Sequence, residues 1–352
     1  MTIQTEVDYS SPDWLLAGMV EGIAARAAGV APPEHARKFY SASLAALAHA
    51  AMVARGVDPP GVSPRVTPGR CIELALTTSD FPGLAGNVFS KVLLDGYATA
   101  APSYRSIARE IPIPDFKETS AVAAGDFPAP QPVGDGGEVK TGRHVERHET
   151  LRAETHAVRT PLSLALLVND DAAGLAASAA AARDQLLAFE NAIALETCLL
   201  ANSGLGQTLL DTNPLFHASR SNIATSGALD AAKLSELRSL VKAATTPAGV
   251  RLNLDADIIL TSPASQGLAE ALAAALAPVA RLRVLADSNL TGTRLYAFAS
   301  GNPPIGYGYV AGNGPNVVSQ ASWGTMGLDV RTTLHFAVGV VNALGSATAA
   351  GA

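Results

Sequence analysis

The chain opens with apolar residues at helical spacing. Between 12 and 57 the pattern predicts two helical stretches, parted by the turn signal from Gly29 to Pro33, with Leu44, Leu47 and Ala51 marking one face of the second. Asp58-Pro59-Pro60-Gly61, with Pro64 and Pro68, then breaks the pattern, and residues 58–69 read as a linker. A third helical stretch, about 83–97, follows the start signal at Pro82. From 103 to 123 the chain reads as extended, with Ile107, Ile111, Ile113 and Val122 among prolines at 112 and 114. The run GDFPAPQPVGDGGEV at 125–139 favours an irregular or turning course.

Residues 138–159, EVKTGRHVERHETLRAETHAVR, stand apart. Nine of these 22 are charged, against 16% for the whole chain, and neither alternate face is apolar. Valine and threonine still allow a strand. Burying unpaired charge is too costly for a core, so such a strand must project into solvent or be covered by another subunit. Asn169-Asp170-Asp171 then reads as a helix start, and the helix runs to about Ala201, where Asn202-Ser203-Gly204 stops it. At 1.5 Å per residue this helix is roughly 50 Å long. Leu175, Ala179, Ala182, Leu186, Phe189, Ile193 and Leu200 form its apolar stripe. Beyond it the types alternate: helices at 229–244 and 263–277, strands at 256–261, 281–286 and 293–298, a loop rich in Gly and Pro at 301–316, and a closing strand at 327–341.

Composition narrows the function classes. With 352 residues, 48% of them hydrophobic, the chain can bury a real core and is not disordered. Net charge is −6 and no basic block stands out, which argues against a dedicated DNA-binding domain. Cys71 and Cys198 have no paired spacing and read as small buried residues. The most apolar stretch, 162–201, carries Asp170, Asp171, Arg183, Asp184, Glu190 and Glu196, so a soluble protein is expected. Glu6, Asp8 and Asp13 leave no room for a secretory signal in the first twenty residues.

A search for chemistry finds little. There is no P-loop and no nucleophile elbow, and Gly306, Gly308 and Gly312 do not make a dinucleotide fingerprint. His144, His148 and His156 would chelate on a helix, but in extended chain four residues span about 13 Å, too far for one zinc. Ser79-Asp80 before Phe81-Pro82 reads as a helix cap, and His217 as a hydrogen-bonded structural residue. No catalytic residue, metal site or cofactor is expected, which leans toward assembly or binding.

TTSDFP (77–82) followed by GLAGNVFSKVLLDGY (83–97) resembles the Mu-like major head subunit family of tailed phages, in particular the capsid half of prohead protease–major capsid fusions. Asp115-Phe116-Lys117, PVGDGGEVK (132–140), Leu167-Val168-Asn169-Asp170-Asp171, Pro214-Leu215-Phe216-His217 with Asn222, and GLDVRTTLHFAVGVVN (327–342) continue the likeness in order. ARKFYSASLAALAHAAMVARGVD (36–58) resembles the stretch between the two halves.

The resemblance implies an α+β chain with the Hong Kong 97 phage capsid fold. Its parts would be a helical N-terminal segment (1–64), an N-terminal arm and start of the peripheral domain (65–123), an extended β-hairpin loop (124–158), a peripheral domain with a long spine helix (159–212), an axial α/β domain (213–322), and a closing strand and tail (323–352). It implies a virion subunit, assembled in the host bacterial cytoplasm into hexamers and pentamers of an icosahedral shell around DNA held without sequence specificity. Prohead protease, portal and decoration proteins are the other implied partners, and no membrane is. Glu138, Lys140, Arg143, Glu146, Arg147, Arg152 and Glu154 are the candidate intersubunit contacts. Some relatives crosslink a loop lysine to an asparagine of the next subunit; Lys140 is the only lysine in this loop and no motif marks a partner, so no crosslink is expected. A cellular cage of the same fold and a hydrolase using Ser79 or His217 are the other readings.

Overall fold

The computed structural model describes residues 12–57, 59–78, 80–126, 133, 145–169, 172–246, 249–277, 281–312, 314–322 and 327–351. The chain divides into two compact units. Met1–Ala100, Thr155–Leu187 and Gly314–Leu334 form the first; Ala101–Glu154, Ala188–Asn313 and His335–Ala352 form the second.

The first unit is helical with a strand layer. Its main helices are Pro12–Ala28, Leu44–Ala54, Pro68–Leu76 and Asp80–Thr99. Ser43 caps the second, its side chain accepting from the Ala46 N–H at 3.2 Å. The third begins at Pro68, inside the stretch expected to be linker: proline breaks a helix interior but suits the first turn, where its missing N–H has no partner to lose. Met19, Ile23, Leu44, Ile72, Phe81, Val88, Phe89 and Leu93 are buried in one cluster with Leu162, Leu167, Leu175, Leu328 and Val330. Asn316–Ala321 runs antiparallel to the start of the long strand Gly327–Val340, Asn316 opposite Thr333 and Ala321 opposite Leu328. Helix Asp80–Thr99 lies close on this pair. Ser319 Oγ donates to the Pro82 carbonyl at 2.8 Å, and a Cβ at Gly86 would collide with the Ser319 side chain. Ser79 lies outside the described residues.

The second unit carries a five-stranded mixed sheet in the order Ile223–Ala224, Ser346–Ala349, Leu295–Phe298, Ile258–Thr261, Arg283–Ala286. Its three central strands are buried at every position, as a sheet covered on both faces requires. Helices Ala231–Lys242 and Pro263–Leu276 pack on it. Three of these strands and both helices overlap the predicted ones; the sequence pattern gave no strand at 223–224 or 346–349. A further strand, Ile305–Tyr309, pairs in parallel with Ala108–Glu110 and antiparallel with Phe336–Val340. This corrects the loop expected at 301–316. Gly306 and Gly308 are there because a side chain would not fit: a Cβ on Gly308 would collide with the Ile111 carbonyl oxygen. Residues 103–107, expected to be extended, form a 3-10 turn.

The long helix spans Ala172–Leu195, its last turn widening into a π turn at Glu196–Leu200. Its start differs from expectation. A short helix, Leu164–Val168, ends at Asn169, and Asp170 and Asp171 lie outside the described residues. Its stop is as expected: Asn202, Ser203 and Gly204 all have positive φ, at 52°, 59° and 85°. The buried stripe departs from the predicted one past Leu186. Phe189 is 37% exposed, while Glu190, Ala194 and Leu195 are fully buried. A hydrophobicity pattern cannot place a carboxylate on the inner face.

Candidate intersubunit surface

Thr119–Asp126 and Val145–Leu151 form an antiparallel hairpin in the second unit. Thr119 pairs with Leu151 and Ala123 with Arg147; the register then shifts, so that Asp126 opposes Val145. Such an irregularity bends a ribbon. Its root is anchored by packing. Ala121, Leu151 and Ala153 are buried against Ile113, Ala337 and Val341. Outward of that root, His148, Arg152 and Glu154 are exposed. The root therefore alternates, Leu151 and Ala153 inward, Arg152 and Glu154 outward, a local departure from the expectation that neither face of 138–159 is apolar.

The root has a second tie. Glu149 Oε2 accepts a hydrogen bond from the Leu210 N–H at 3.1 Å. That loop is itself braced: Arg220 bonds Asp211 at 2.5 Å and the Pro214 carbonyl at 2.6 Å. Burial raises the Glu149 carboxyl above its ordinary range, and the Asp211 charge adds to it, while the Leu210 bond and Arg220 oppose. In the first unit the next strand, Glu154–Ser163, pairs with the long strand and is exposed at seven of its ten positions. Its Arg159 reaches the buried Asp329 at 2.5 Å and holds that carboxyl below its usual range.

Of the seven contact candidates, Arg152 and Glu154 stand exposed beside the root. Glu146 and Arg147 lie on the second hairpin strand by backbone. Glu138, Lys140 and Arg143 fall outside the described residues, as does His144. His148 is exposed and His156 half-buried. No group of His, Cys, Asp or Glu among the described residues is gathered so that it could hold a metal ion. His217 caps a 3-10 turn: its Nδ1 accepts from the Ser219 N–H at 3.2 Å, and its own N–H donates to Asn222 Oδ1 at 2.9 Å. Cys71 and Cys198 are both fully buried, and burial raises both thiols.

The pattern of apolar and polar positions missed a buried polar cluster in the second unit. Glu190, fully buried, accepts from Tyr104 OH at 3.1 Å and Tyr309 OH at 3.2 Å, and Arg105 Nη2 lies 3.4 Å away. Next to it, Asn191 Oδ1 accepts from the Tyr104 N–H at 3.2 Å, and Asn191 Nδ2 donates to Asp287 at 2.5 Å. Ser103 also donates to Asp287. Burial pushes the Asp287 carboxyl up, but the bonds from Ser103, Asn191 and Asn289 outweigh it, and its pKa lies below the ordinary value. Burial and the Glu190 charge push the Tyr104 hydroxyl far up, so it stays protonated and donates. The only sequence signal was an acid at 190 within an otherwise apolar run.

No helix among the described residues is long and apolar enough to cross a membrane. The described residues thus make two units of mixed helix and strand, the second with a hairpin held at a buried root. The chain belongs to the phage capsid protein family: residues 148–349, more than half its length, match the family model described as "Phage capsid protein". It is a shell-forming structural subunit of a phage head, and its place is the capsid of the virion. Nothing among the curated proteins matches the sequence. Solved structures similar to it include chains of Microbacterium phage Oxtober96 (12% identity, TM-score 0.48, covering 72% of this chain and 92% of that one). A capsid of an empty GTA particle gives 11%, 0.48, 72% and 91%. Mycobacterium phage Adephagia gives 12%, 0.45, 72% and 92%.

Proposed function

We propose that this chain is a major head subunit of the Mu-like group, related to the capsid half of prohead protease–major capsid fusions, and that it closes into hexamers and pentamers of an icosahedral shell around DNA. The observation that carries this reading is the hairpin. It joins the second unit through a buried root, and its sequence between 138 and 154 offers charge on both faces. Charge of that density belongs at a surface that another copy covers, where opposite charges meet. Membership of the phage capsid protein family over 148–349 supports the same reading.

In this reading the chain has the Hong Kong 97 layout. Residues 65–123 are the arm and the start of the peripheral domain, 124–158 the extended loop, and 159–212 the peripheral domain, with Ala172–Leu195 as its spine. Residues 213–322 are the axial domain and 323–352 the closing strand and tail. Glu138, Lys140, Arg143, Glu146, Arg147, Arg152 and Glu154 meet the neighbouring subunit. The rings are heterologous contacts closed by rotation. Prohead protease, portal and decoration proteins are the further partners, DNA is held without base recognition, and assembly takes place in the bacterial cytoplasm.

Negative-stain microscopy of the purified full chain tests this. Five- and six-membered rings and closed shells are the expected objects. A protein that stays monomeric at high concentration overturns the reading.

A further inference from the structure

The chain passes between its two units five times, at 100/101, 154/155, 187/188, 313/314 and 334/335. The polar cluster of the second unit draws its members from beside four of those passages. Ser103, Tyr104 and Arg105 follow the first; Glu190 and Asn191 follow the third; Tyr307 and Tyr309 precede the fourth; Phe336 follows the fifth. Tyr104 and Glu190 are 86 positions apart, Arg105 and Tyr309 204.

The contacts form one connected set. Tyr104 OH, Tyr309 OH and Arg105 Nη2 converge on a single oxygen, Glu190 Oε2. Arg105 Nη2 also donates to Tyr309 OH at 3.1 Å. The Tyr104 ring meets Tyr307 edge-on at 5.3 Å and Phe336 at 6.2 Å, and the Tyr309 ring lies 5.6 Å from Phe336. Asp287, at the end of strand Arg283–Ala286, holds Ser103 and Asn191, tying the set to the central sheet. A buried carboxylate costs stability unless it is fully paired, and a hydrophobic residue would pack there at less cost. What the carboxylate adds is direction: three donors must reach one atom, so three segments take one arrangement.

We propose that the Glu190 cluster is a junction clamp, which fixes together within the second unit the four chain segments that lead to and from the first. Loosening any one member then loosens the rest, because three of the segments meet at one acceptor and the fourth packs through Phe336 on the Tyr104 and Tyr309 rings. A shell repeats its subunit geometry in every copy, so a chain built this way keeps its crossing segments in a single arrangement.

Hydrogen–deuterium exchange of the full-length unassembled chain tests the clamp, comparing wild type with Glu190→Gln and Tyr309→Phe. Glutamine keeps the shape and removes the charge. Phenylalanine keeps the ring and removes one donor, so it carries the test if Glu190→Gln does not fold. The expected result is a joint rise in exchange, about tenfold or more, in peptides covering 101–110, 186–192, 305–311 and 335–340. Peptides covering 258–261 and 295–298 should stay at wild-type rates. The proposal is overturned if exchange rises only around 101–107, rises evenly through the unit, or does not change in either variant. The readout needs no shell, so it stands apart from the test of assembly.

Discussion

Lys233 sits with 7% of its surface exposed, and its ammonium finds three acceptors for its three protons. They are the Thr225 carbonyl at 2.8 Å, Thr225 Oγ1 at 2.7 Å and Glu236 Oε2 at 2.6 Å. The bonds from Lys233 and from the Thr225 N–H lower the Glu236 carboxyl from 4.5 to about 2. An unfolded glutamate titrates near the higher value, so the folded state gains from this group above about pH 4.5 and loses the gain as pH falls toward 2. Glu236→Gln should therefore melt below wild type at pH 7, with the gap narrowing at pH 3. A gap that is constant across that range sinks the argument. Gly86 makes a steric prediction. Alanine has the better helix propensity, yet its methyl would meet Ser319 Oγ and Cβ. Gly86→Ala should cost about 1–3 kcal/mol in urea unfolding. Adding Ser319→Ala should recover part of that loss, because the two sites share one contact.

At the scale of elements, the hairpin has two parts with opposite sensitivities. Leu151, 1% exposed, packs beside Gly306 and Gly339 in the second unit. Leu151→Ala should cost about 2–4 kcal/mol, read by urea or thermal unfolding. Arg152, one residue on, is exposed, and Arg152→Glu should change the stability of the isolated chain by less than about 0.5 kcal/mol. Its effect belongs to assembly. The same contrast explains what was legible in the sequence. Ile258–Thr261, Arg283–Ala286 and Leu295–Phe298, with the helices Ala231–Lys242 and Pro263–Leu276, lie where the pattern put them, because each has one clear period and turn signals at its ends. Ile305–Tyr309 did not, since the glycines that let it approach Ile111 read locally as loop. Ser346–Ala349 did not either: Ser-Ala-Thr-Ala carries almost no hydrophobic signal, and its burial comes from its partner strands and the helix Ala231–Lys242 packed on it. The exposure of Arg152 and Glu154 was legible from charge. The Glu190 cluster was not, because its geometry joins residues that no local window contains.

At the scale of the whole molecule, charge is unevenly divided. Residues 138–159 hold five basic and four acidic side chains, a net of +1, while the entire chain is −6. Two copies therefore repel through their bodies, and the loop's four basic side chains, Lys140, Arg143, Arg147 and Arg152, are the groups that can meet an acidic neighbour. Salt acts on both effects in opposite directions. It relieves repulsion between bodies, which favours assembly, and it weakens attraction between hairpin and body, which opposes assembly. Which one governs is open to measurement, since the screening length shrinks from roughly 14 Å to roughly 4 Å between about 0.05 and 0.5 M salt. If the hairpin contact governs, wild-type shell yield, measured by light scattering or sedimentation, falls across that range. Arg152→Glu removes one of these four cations and adds a carboxylate. That variant should begin with a lower yield and gain with added salt, because it has less attraction to lose and more repulsion to screen. Parallel salt curves for the two proteins would mean that the hairpin charges take no part in holding copies together, and that the apolar and hydrogen-bonded parts of the interface suffice.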